Sequence, residues 1–231
     1  MENKNRKYSV SLVIPARNEE GGIAGLIESS QEFVDEIIVV DGHSKDKTAE
    51  FALSQGARVV LDHKKGKGDA YKVGIRQARG DIIVFMDADG SHDPKSIPGL
   101  IEPLLKDEAD FVIGSRFKGG SDEWKGDLDT YLRSVGCGIL TLAINYLWKA
   151  ELTECLNGFR AIRNDAAQKL DLKADGFDIE QHMIVQCLKK RLRVKEVASH
   201  EYERKWGASK LPTFRKGYLF FWRLFLDIVG L

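Results

Sequence analysis

Five short apolar runs alternate with helix-like segments within the first 115 or so residues, and this alternation strongly limits the possible folds. The runs lie at 10–14, 36–40, 58–61, 82–86 and 111–114. Such runs are typical of strands buried on both faces of a parallel sheet. The segments between them, at about 18–33, 44–55, 69–78 and 97–105, have helical character. We therefore predict an α/β domain with a doubly wound, mostly parallel sheet flanked by helices.

The second half of the chain differs in character. Residues 118–129 are polar and contain glycine, which predicts a mobile loop at an active site. Residues 135–148 carry no charge and predict either a core helix or a helix in a membrane interface. We expect residues 158–162 to return to the sheet and residues 179–190 to form an amphipathic helix.

Residues 214–231 combine many aromatic side chains with cations. This composition suits an amphipathic helix in a membrane interface, although a docked helix or an oligomer contact remains open. We therefore divide the chain into a catalytic domain at 1–213 and a C-terminal helix at 214–231.

Composition excludes some classes of function. The 35 basic and 35 acidic residues balance, which argues against a general nucleic-acid binder. Even so, eleven lysines and arginines stand against three glutamates between residues 189 and 223. The three cysteines lack metal-ligand spacing and predict buried thiols in a reducing compartment. No leader or spanning segment is evident, so we expect a cytoplasmic protein that associates peripherally with the cytosolic face of a membrane.

Asp87 and Asp89 directly follow the fourth apolar run. The carboxyl ends of parallel strands are where ligands bind in open α/β folds. Two carboxylates there provide hard oxygen ligands for Mg²⁺ or Mn²⁺ shared with a diphosphate. By itself the pair is equally compatible with a polar turn.

Further polar residues follow other predicted strands or precede the third helix. A carboxylate can accept from the N–H groups of a base, a lysine can offset phosphate charge, and glycines let backbone amides approach closely. Singly, each of these residues is compatible with a solvated turn. The set comprises Pro15, Asn18, Glu19, Asp41, Gly66, Lys67 and Gly68.

The motifs PARNE (15–19), VVDG (39–42), KGDA (67–70), DAD (87–89) and GSR (114–116) occur in this order. Together they resemble the inverting glycosyltransferases of family 2, which have a GT-A fold. Arg133 and the segments LTECLNGFR (152–160), FDIE (177–180) and RKWGASKL (204–211) resemble the polyprenyl-phosphate branch. That branch includes dolichol-phosphate mannose synthases and related glucosyl- and N-acetylglucosaminyltransferases. The resemblance covers about residues 9–211.

The resemblance implies a nucleoside diphosphate sugar as donor: GDP-mannose, UDP-glucose or UDP-N-acetylglucosamine. Its binding residues would be Pro15, Asn18, Glu19, Asp41, Lys67, Asp87, Ala88 and Asp89, with Asp41 facing the base. Mg²⁺ or Mn²⁺ would bind Asp87, Asp89 and Ser91. Amphipathic helices would lie on the acceptor side of the fold.

The implied acceptor is a polyprenyl or dolichyl phosphate, which is already anionic near neutral pH and needs no deprotonating base. The resemblance assigns its phosphate to Arg116, Arg133, Arg204 and Lys210. The catalytic residues would be Asp89, Arg116 and Arg133.

The sequence departs from the family's pattern in three respects. Ser91 stands where glutamine is common, and Glu154 where aspartate is frequent. The spanning helices that many relatives carry after the catalytic domain are lacking. Membrane attachment is therefore expected from the helices around Leu140 and Phe221, or from a membrane partner subunit.

Other functions remain to be weighed. Transfer to a sugar or polysaccharide hydroxyl would need a carboxylate base, for which Glu154 and Glu180 are the candidates; Glu180 is also a candidate for orienting the substrate. A non-catalytic membrane-associated subunit of the same fold is a further alternative.

The DADGS stretch (87–91) also resembles the nucleophile motif of haloacid-dehalogenase-type phosphatases, but that motif normally follows the first strand. A dinucleotide-binding oxidoreductase is disfavoured because no G-x-G-x-x-G follows the first strand. A turn position suffices to explain His92.

Overall fold

The computed structural model describes residues 8–123, 128–204, 206 and 213–231, with the side chains of 128–130 and 213–216 excepted. These residues include one seven-stranded sheet, with strand order β3-β2-β1-β4-β6-β5-β7. The strands in chain order are β1 (Val10–Ala16), β2 (Glu36–Asp41), β3 (Arg58–Leu61), β4 (Ile82–Phe85), β5 (Phe111–Ser115), β6 (Arg160–Arg163) and β7 (Val194–Ala198).

The sheet is mostly parallel, as predicted. β1 pairs in parallel with both β2 and β4, and β2 pairs in parallel with β3. β6 lies antiparallel between β4 and β5, and β5 pairs in parallel with β7. The predicted return of residues 158–162 to the sheet is confirmed by β6. Two antiparallel pairings in succession leave β4 and β5 pointing the same way, so their carboxyl ends share an edge with those of β1 and β2.

Helices cover both faces of this sheet. A short 3₁₀ turn, Pro94–Ser96, precedes the fourth helix. The helices in chain order are α1 (Ile23–Ser30), α2 (Thr48–Ser54), α3 (Lys67–Gln77), α4 (Ile97–Leu105), α5 (Arg116–Gly119), α6 (Leu128–Trp148), α7 (Asn164–Ala167), α8 (Ile179–Lys189) and α9 (Thr213–Val229).

Apolar residues on opposite faces of each strand build two cores, because successive side chains of a strand point to opposite sides. Val13 and Phe85 belong to the core that contains residues of α3, α6, α8 and α9. Tyr71 stacks on Phe85 there, with ring centroids 4.3 Å apart. Leu12 and Val84 belong to the opposite core, against α1 and α4. The apolar runs of β1, β4 and β5 are continuous because both faces of these strands are buried, whereas β3 lies at the edge of the sheet and is only partly buried.

Two predicted helix starts were wrong, and one pair of loops explains both. We expected a helix to open at Asn18, but Asn18 adopts a left-handed φ of 53° and α1 begins only at Ile23. We expected a second helix from about residue 44, with a capped start within 44–48, but α2 begins at Thr48 without a side-chain cap, and the hydroxyl of Ser44 donates to Asp41 at 2.5 Å. The same hydroxyl accepts from the backbone N–H of Asn18 at 2.9 Å. Tertiary contacts between the two loops therefore override the local capping signal.

Part of the predicted loop at 118–129 is ordered by contacts with a distant segment. α5 extends through Gly119, and Ser121 forms an isolated parallel bridge with Glu201. The N–H of Asp122 donates to the carbonyl of Glu201 at 2.8 Å. Residues 124–127 lie outside the described part of the chain.

Buried polar contacts hold α9 against α8. The backbone N–H of Lys173 donates to Nε2 of His182 at 3.0 Å, which leaves Nδ1 to donate to Asp227 at 2.6 Å. Arg223 donates to the same carboxylate at 3.1 Å, and Gln181 donates to the carbonyl of Phe220 at 2.6 Å. Across the described residues, no helix is both long enough and apolar enough to cross a bilayer.

Close packing between α3 and β1 gives a test of the fold. A Cβ atom added at Gly74 would lie 2.3 Å from Cγ1 of buried Val13. We expect Gly74→Ala to lower the free energy of unfolding by roughly 1–3 kcal/mol through overpacking, measured by urea denaturation. Gly99→Ala is the matched control in α4, where nothing lies within 4 Å; it should stabilise by roughly 0.5–1 kcal/mol. Equal effects of both substitutions would contradict this packing.

Candidate functional site

The polar residues predicted from the strand ends gather at the carboxyl edge of the sheet. Asp41 is the last residue of β2, and Asp87 and Asp89 follow β4. Arg116 directly follows β5 on the same edge, and Gly158 lies just before β6. Since β6 runs antiparallel to its neighbours, its first residues join the strand ends of β4 and β5.

A buried lysine joins two carboxylates at the centre of this edge. Nζ of Lys67, the first residue of α3, lies 2.7 Å from Oδ1 of Asp87 and 2.7 Å from Oε1 of Glu180 in α8. The lysine side chain is 13% exposed and that of Glu180 only 5%. The ring of Phe177 lies 6.0 Å from the ammonium group. The three charged side chains thus connect α3, β4 and α8.

The opposite charges of Lys67 and Asp87 determine the protonation state of each side chain. Burial disfavours the charged form of Lys67, but the Asp87 and Glu180 carboxylates outweigh it and raise the lysine pKa well above its ordinary value. Burial likewise disfavours ionised Asp87, but the charge and hydrogen bond of Lys67 lower the net pKa of that carboxyl. Near neutral pH the site therefore holds a charged ammonium group beside an ionised Asp87.

Three glycines allow the close packing around this lysine. A Cβ atom at Gly158 would lie 2.5 Å from Oδ2 of Asp87. At Gly66 and Gly68 it would lie 2.7 Å and 2.4 Å from the carbonyl oxygens of Asp175 and Ala174. We expected Gly66 and Gly68 to let backbone amides approach a ligand closely, which stays a prediction. In the structure these glycines also make room for the chain before α8, and the N–H of Gly68 donates to the Asp175 carbonyl at 2.8 Å.

Asp89 is paired with a different cation. NH2 of Arg204 lies 3.0 Å from Oδ2 of Asp89, and the backbone N–H of Ser91 donates to Oδ1 at 3.0 Å. The N–H of Tyr202 in turn donates to the Ser91 carbonyl at 2.8 Å. Arg204, predicted to bind the acceptor phosphate, thus contacts a predicted metal ligand.

The donor set at this edge fits a divalent cation. Asp87 and Asp89 supply carboxylate oxygens, which Mg²⁺ and Mn²⁺ prefer, and Ser91 is buried two residues further on. Within the described ranges, no group of three or more His, Cys, Asp or Glu side chains is arranged to hold a metal. A cation held by this pair would take its other ligands from a bound diphosphate and water.

Arg116 is held between two carboxylates. Its Nε and NH2 lie 2.8 Å and 2.7 Å from Oε2 of Glu154, and its NH1 lies 3.2 Å from Oε1 of Glu201. Burial disfavours the charged form of Arg116, but the charges of Glu154 and Glu201 outweigh this effect and raise the pKa of the guanidinium group above its ordinary value. The arginine side chain is 22% exposed while Glu154 is fully buried. Arg116 is therefore a fixed cation.

Three of the predicted donor-binding residues, Asp41, Asn18 and Glu19, organise two adjoining loops. The carboxylate of Asp41 accepts from the backbone N–H of Ser44 at 3.1 Å as well as from its hydroxyl. Oδ1 of Asn18 accepts from the N–H of Lys45 at 2.8 Å, and the N–H of Glu19 donates to the hydroxyl of Thr48 at 2.8 Å. These contacts set the shape of the edge beside β1 and β2.

The remaining predicted residues lie in several places. Pro15 is part of β1, opposite Val40 of β2, and Ala88 is buried between the two aspartates. Arg133 lies in the second turn of α6. Lys210 lies outside the described residues.

The sequence reading missed three features. Glu201, which contacts Arg116, had no sequence signal. Trp206 stood inside the RKWGASKL segment, but its contacts were not anticipated. His92 is buried rather than in a solvated turn, and it stacks on Phe159 with ring centroids 5.0 Å apart.

Comparison with known proteins identifies the family. The family described as "Glycosyl transferase family 2" matches residues 11–171. The low-salt glycan biosynthesis hexosyltransferase Agl6 of Haloferax volcanii is 32% identical over 91% of this chain. This chain spans about half of the length of that relative, 51%. The chain belongs to glycosyl transferase family 2 and is a glycosyltransferase, as the motifs predicted.

Two further similarities bear on the chemistry. The UDP-N-acetylglucosamine–dolichyl-phosphate N-acetylglucosaminyltransferase of Methanococcus voltae is 26% identical over 96% of both chains. The glucosyl-3-phosphoglycerate synthase of Mycobacterium tuberculosis, solved with Mn²⁺, UDP-glucose and phosphoglyceric acid, superposes with a TM-score of 0.77. It is 25% identical, and the match covers 96% of this chain and 80% of that one. The predicted GT-A fold is confirmed.

The close contact of Gly158 with Asp87 gives a test of the site. We expect Gly158→Ala to displace the Asp87 carboxylate, because the added Cβ would lie 2.5 Å from its oxygen. The expected result is Mn²⁺ affinity lowered about tenfold or more, together with a loss of roughly 1–3 kcal/mol in unfolding free energy. Calorimetric titration and urea denaturation measure these two quantities.

The matched control for this test is Gly138→Ala in α6, where an added Cβ meets nothing within 4 Å. It should leave the Mn²⁺ affinity unchanged. A Gly158→Ala variant that binds Mn²⁺ like the wild type would remove Asp87 from the metal site.

Proposed function

We propose that this protein transfers a sugar, with inversion, from a nucleoside diphosphate sugar to a polyprenyl or dolichyl phosphate. The proposal rests on one observation at the carboxyl edge of the sheet. There Asp87 and Asp89 lie among three basic side chains, those of Lys67, Arg116 and Arg204. Two anionic groups, a diphosphate and an acceptor phosphate, must meet in such a reaction. Bringing the two anions together requires fixed cations that neutralise their charge.

The donor would occupy the part of the edge formed by β1, β2 and β4. Asp41 and the loop with Asn18 and Glu19 would surround the base, and Lys67 would lie near the phosphates. A Mg²⁺ or Mn²⁺ ion on Asp87 and Asp89 would supply Lewis-acid stabilisation of the departing diphosphate. The solved relative with Mn²⁺ and UDP-glucose supports this placement by analogy.

The acceptor phosphate would meet Arg116, Arg133, Arg204 and Lys210. One of its oxygens forms a bond to the anomeric carbon as the bond from that carbon to the diphosphate oxygen breaks. The diphosphate leaves with the electron pair, and attack from the opposite face inverts the configuration. The acceptor is already anionic, so this step needs no proton transfer. The dolichyl-phosphate relative of nearly equal length supports this acceptor.

Transfer to a hydroxyl group is the runner-up. It would need a carboxylate to remove the hydroxyl proton, and the two candidate bases are both engaged with cations. Glu154 contacts Arg116 at 2.7 Å, and Glu180 contacts Lys67 at 2.7 Å. Each carboxylate is thus already occupied by a cation, which leaves neither free to accept the proton of a substrate hydroxyl. A non-catalytic subunit would not need Asp87 and Asp89, and is disfavoured for that reason.

A transfer assay tests the proposed reaction. Purified protein is incubated with Mn²⁺, polyprenyl phosphate and radiolabelled GDP-mannose, UDP-glucose or UDP-N-acetylglucosamine, and label in the organic extract is counted. We expect one donor to label the lipid. Asp89→Ala should lower this turnover by about 10²–10³-fold, as is usual when a charge-stabilising group is lost.

The matched control is Asp93→Ala in the same loop. Asp93 caps the 3₁₀ turn by accepting from the N–H of Lys95 at 2.9 Å, so its loss should cost about 1 kcal/mol of stability and little turnover. If the label stays water-soluble with all three donors while nucleotide binds, the acceptor is a hydroxyl and the lipid proposal is wrong.

We also propose that the protein acts at the surface of a membrane. α6 and α9 pack on each other, and both expose large apolar side chains. We define the α6–α9 aromatic surface by six of these residues, each at least 45% exposed: Leu142, Tyr146, Tyr218, Phe221, Trp222 and Phe225.

Charge and position favour a lipid surface as the partner of this face. The C-terminal segment 214–231 combines aromatic residues with cations in its sequence, a composition that suits an anionic membrane interface. Arg116 is near enough to Cys137 in α6 to interact electrostatically. The second and third turns of α6 therefore adjoin the proposed acceptor site, where a lipid phosphate would arrive.

Vesicle co-sedimentation tests this contact, using phosphatidylcholine vesicles with and without phosphatidylglycerol. We expect Trp222→Glu and Phe225→Glu to weaken binding about tenfold or more, since each removes an apolar anchor. Leu53→Glu, at a 59% exposed position on α2, is the matched control and should bind like the wild type. Variants that lose a dimer by size-exclusion chromatography but keep vesicle binding would instead assign the surface to a second copy of the chain.

A further inference from the structure

Trp206 lies directly on the start of α1. A Cβ atom added at Gly22 would lie 2.3 Å from Cδ1 of the indole, and one at Gly21 would lie 3.1 Å from Cε3. The indole is 47% exposed, so part of its surface remains open to solvent. The two glycines are therefore what allow the ring to approach the backbone so closely.

The residues just before Trp206 contact the metal-site turn. The N–H of Tyr202 donates to the Ser91 carbonyl at 2.8 Å, and Arg204 pairs with Asp89 at 3.0 Å. We call residues 202–204 and 206 the crossing segment. It contacts the turn after β4 through Tyr202 and Arg204, and the turn before α1 through Trp206.

These contacts link two parts of the proposed donor site. Gly21 and Gly22 follow the Asn18–Glu19 loop in the chain, and the carbonyl of Glu19 accepts from the N–H of Gly22 at 3.1 Å. Arg204 is 27% exposed and Asp89 12% exposed, so their ion pair has modest strength. The contact of Trp206 with α1, two residues after Arg204, can therefore change how often the Arg204–Asp89 ion pair forms.

We propose that Trp206 is a positioning residue for Arg204: its contact with Gly21 and Gly22 keeps Arg204 at Asp89, where the guanidinium competes with the divalent cation. The proposal rests on the proposed function for its second half, in which the same contact keeps Arg204 available to the acceptor phosphate. Loosening Trp206 then has opposite effects on two ligands. The cation binds more tightly, and the acceptor binds less tightly.

Charge-neutral substitutions test this competition. Mn²⁺ binding to the protein alone is measured by the electron paramagnetic resonance signal of the free ion. We expect Gly22→Ala and Trp206→Ala to bind Mn²⁺ about two- to fivefold more tightly, within the roughly 1.4- to fivefold that an ion pair of about 0.2–1 kcal/mol allows. Gly25→Ala, whose added Cβ meets nothing within 4 Å, is the matched control within α1. It should leave the affinity unchanged.

A conservative replacement separates positioning from folding. Trp206→Phe keeps a flat ring, so its Mn²⁺ affinity should stay within about twofold of the wild type. In the transfer assay, Gly22→Ala and Trp206→Ala should raise the KM for polyprenyl phosphate with a smaller change in kcat. Unchanged or weaker Mn²⁺ binding in both variants would overturn the proposal.

The two arms of the experiment fail independently. Tighter Mn²⁺ binding without any lipid transfer would support the competition at Asp89 and contradict the proposed acceptor. Lipid transfer with unchanged Mn²⁺ binding in Gly22→Ala and Trp206→Ala would support the proposed function and contradict the role of Trp206.

Discussion

A buried ammonium group between two carboxylates holds the candidate site together. Lys67 contacts Asp87 at the end of β4 and Glu180 in the first turn of α8, each at 2.7 Å. The side chains of Lys67 and Glu180 are 13% and 5% exposed, so removing the Glu180 carboxylate would leave the ammonium group with less compensation for its burial. The position of α8 relative to the sheet, and with it the packing of α9, therefore depends on a contact that also orients a proposed metal ligand.

The charges at this edge explain why a cation and a diphosphate could bind together. Asp87, Asp89 and Glu180 carry three negative charges, while Lys67 and Arg204 carry two positive ones. A divalent cation would change this net charge from −1 to +1, which favours an anionic diphosphate. Fixed cations further along the edge, such as Arg116 between two carboxylates, extend the same field towards an acceptor. This arrangement requires little reorganisation during reaction, which is how preorganised sites stabilise developing charge.

The sequence predicted the strands well because an apolar run reports burial, a property local to the run; β1, β4 and β5 are buried on both faces, whereas β3 at the edge of the sheet is only partly buried. It predicted the starts of α1 and α2 poorly, because Asn18 and Ser44 bond to each other's loops rather than to their own helices. The pairing of Arg116 with Glu154 and Glu201 joins residues 38 and 85 positions apart. No spacing rule reports such contacts, and the same holds for Lys67 with Glu180 and Trp206 with Gly22. Strand-end positions were therefore predictable, and the partners of the side chains there were not.

We propose that Asp87 and Asp89 hold a divalent cation together with the diphosphate of a nucleotide sugar. The most direct measurement is the electron paramagnetic resonance of Mn²⁺ titrated with the protein in the presence of UDP or GDP. We predict one bound ion per chain, with binding that nucleotide strengthens. The Asp87→Asn, Asp89→Asn double variant should lose this binding while its circular dichroism spectrum stays unchanged. A folded double variant that binds Mn²⁺ and nucleotide as the wild type does would place the donor site elsewhere.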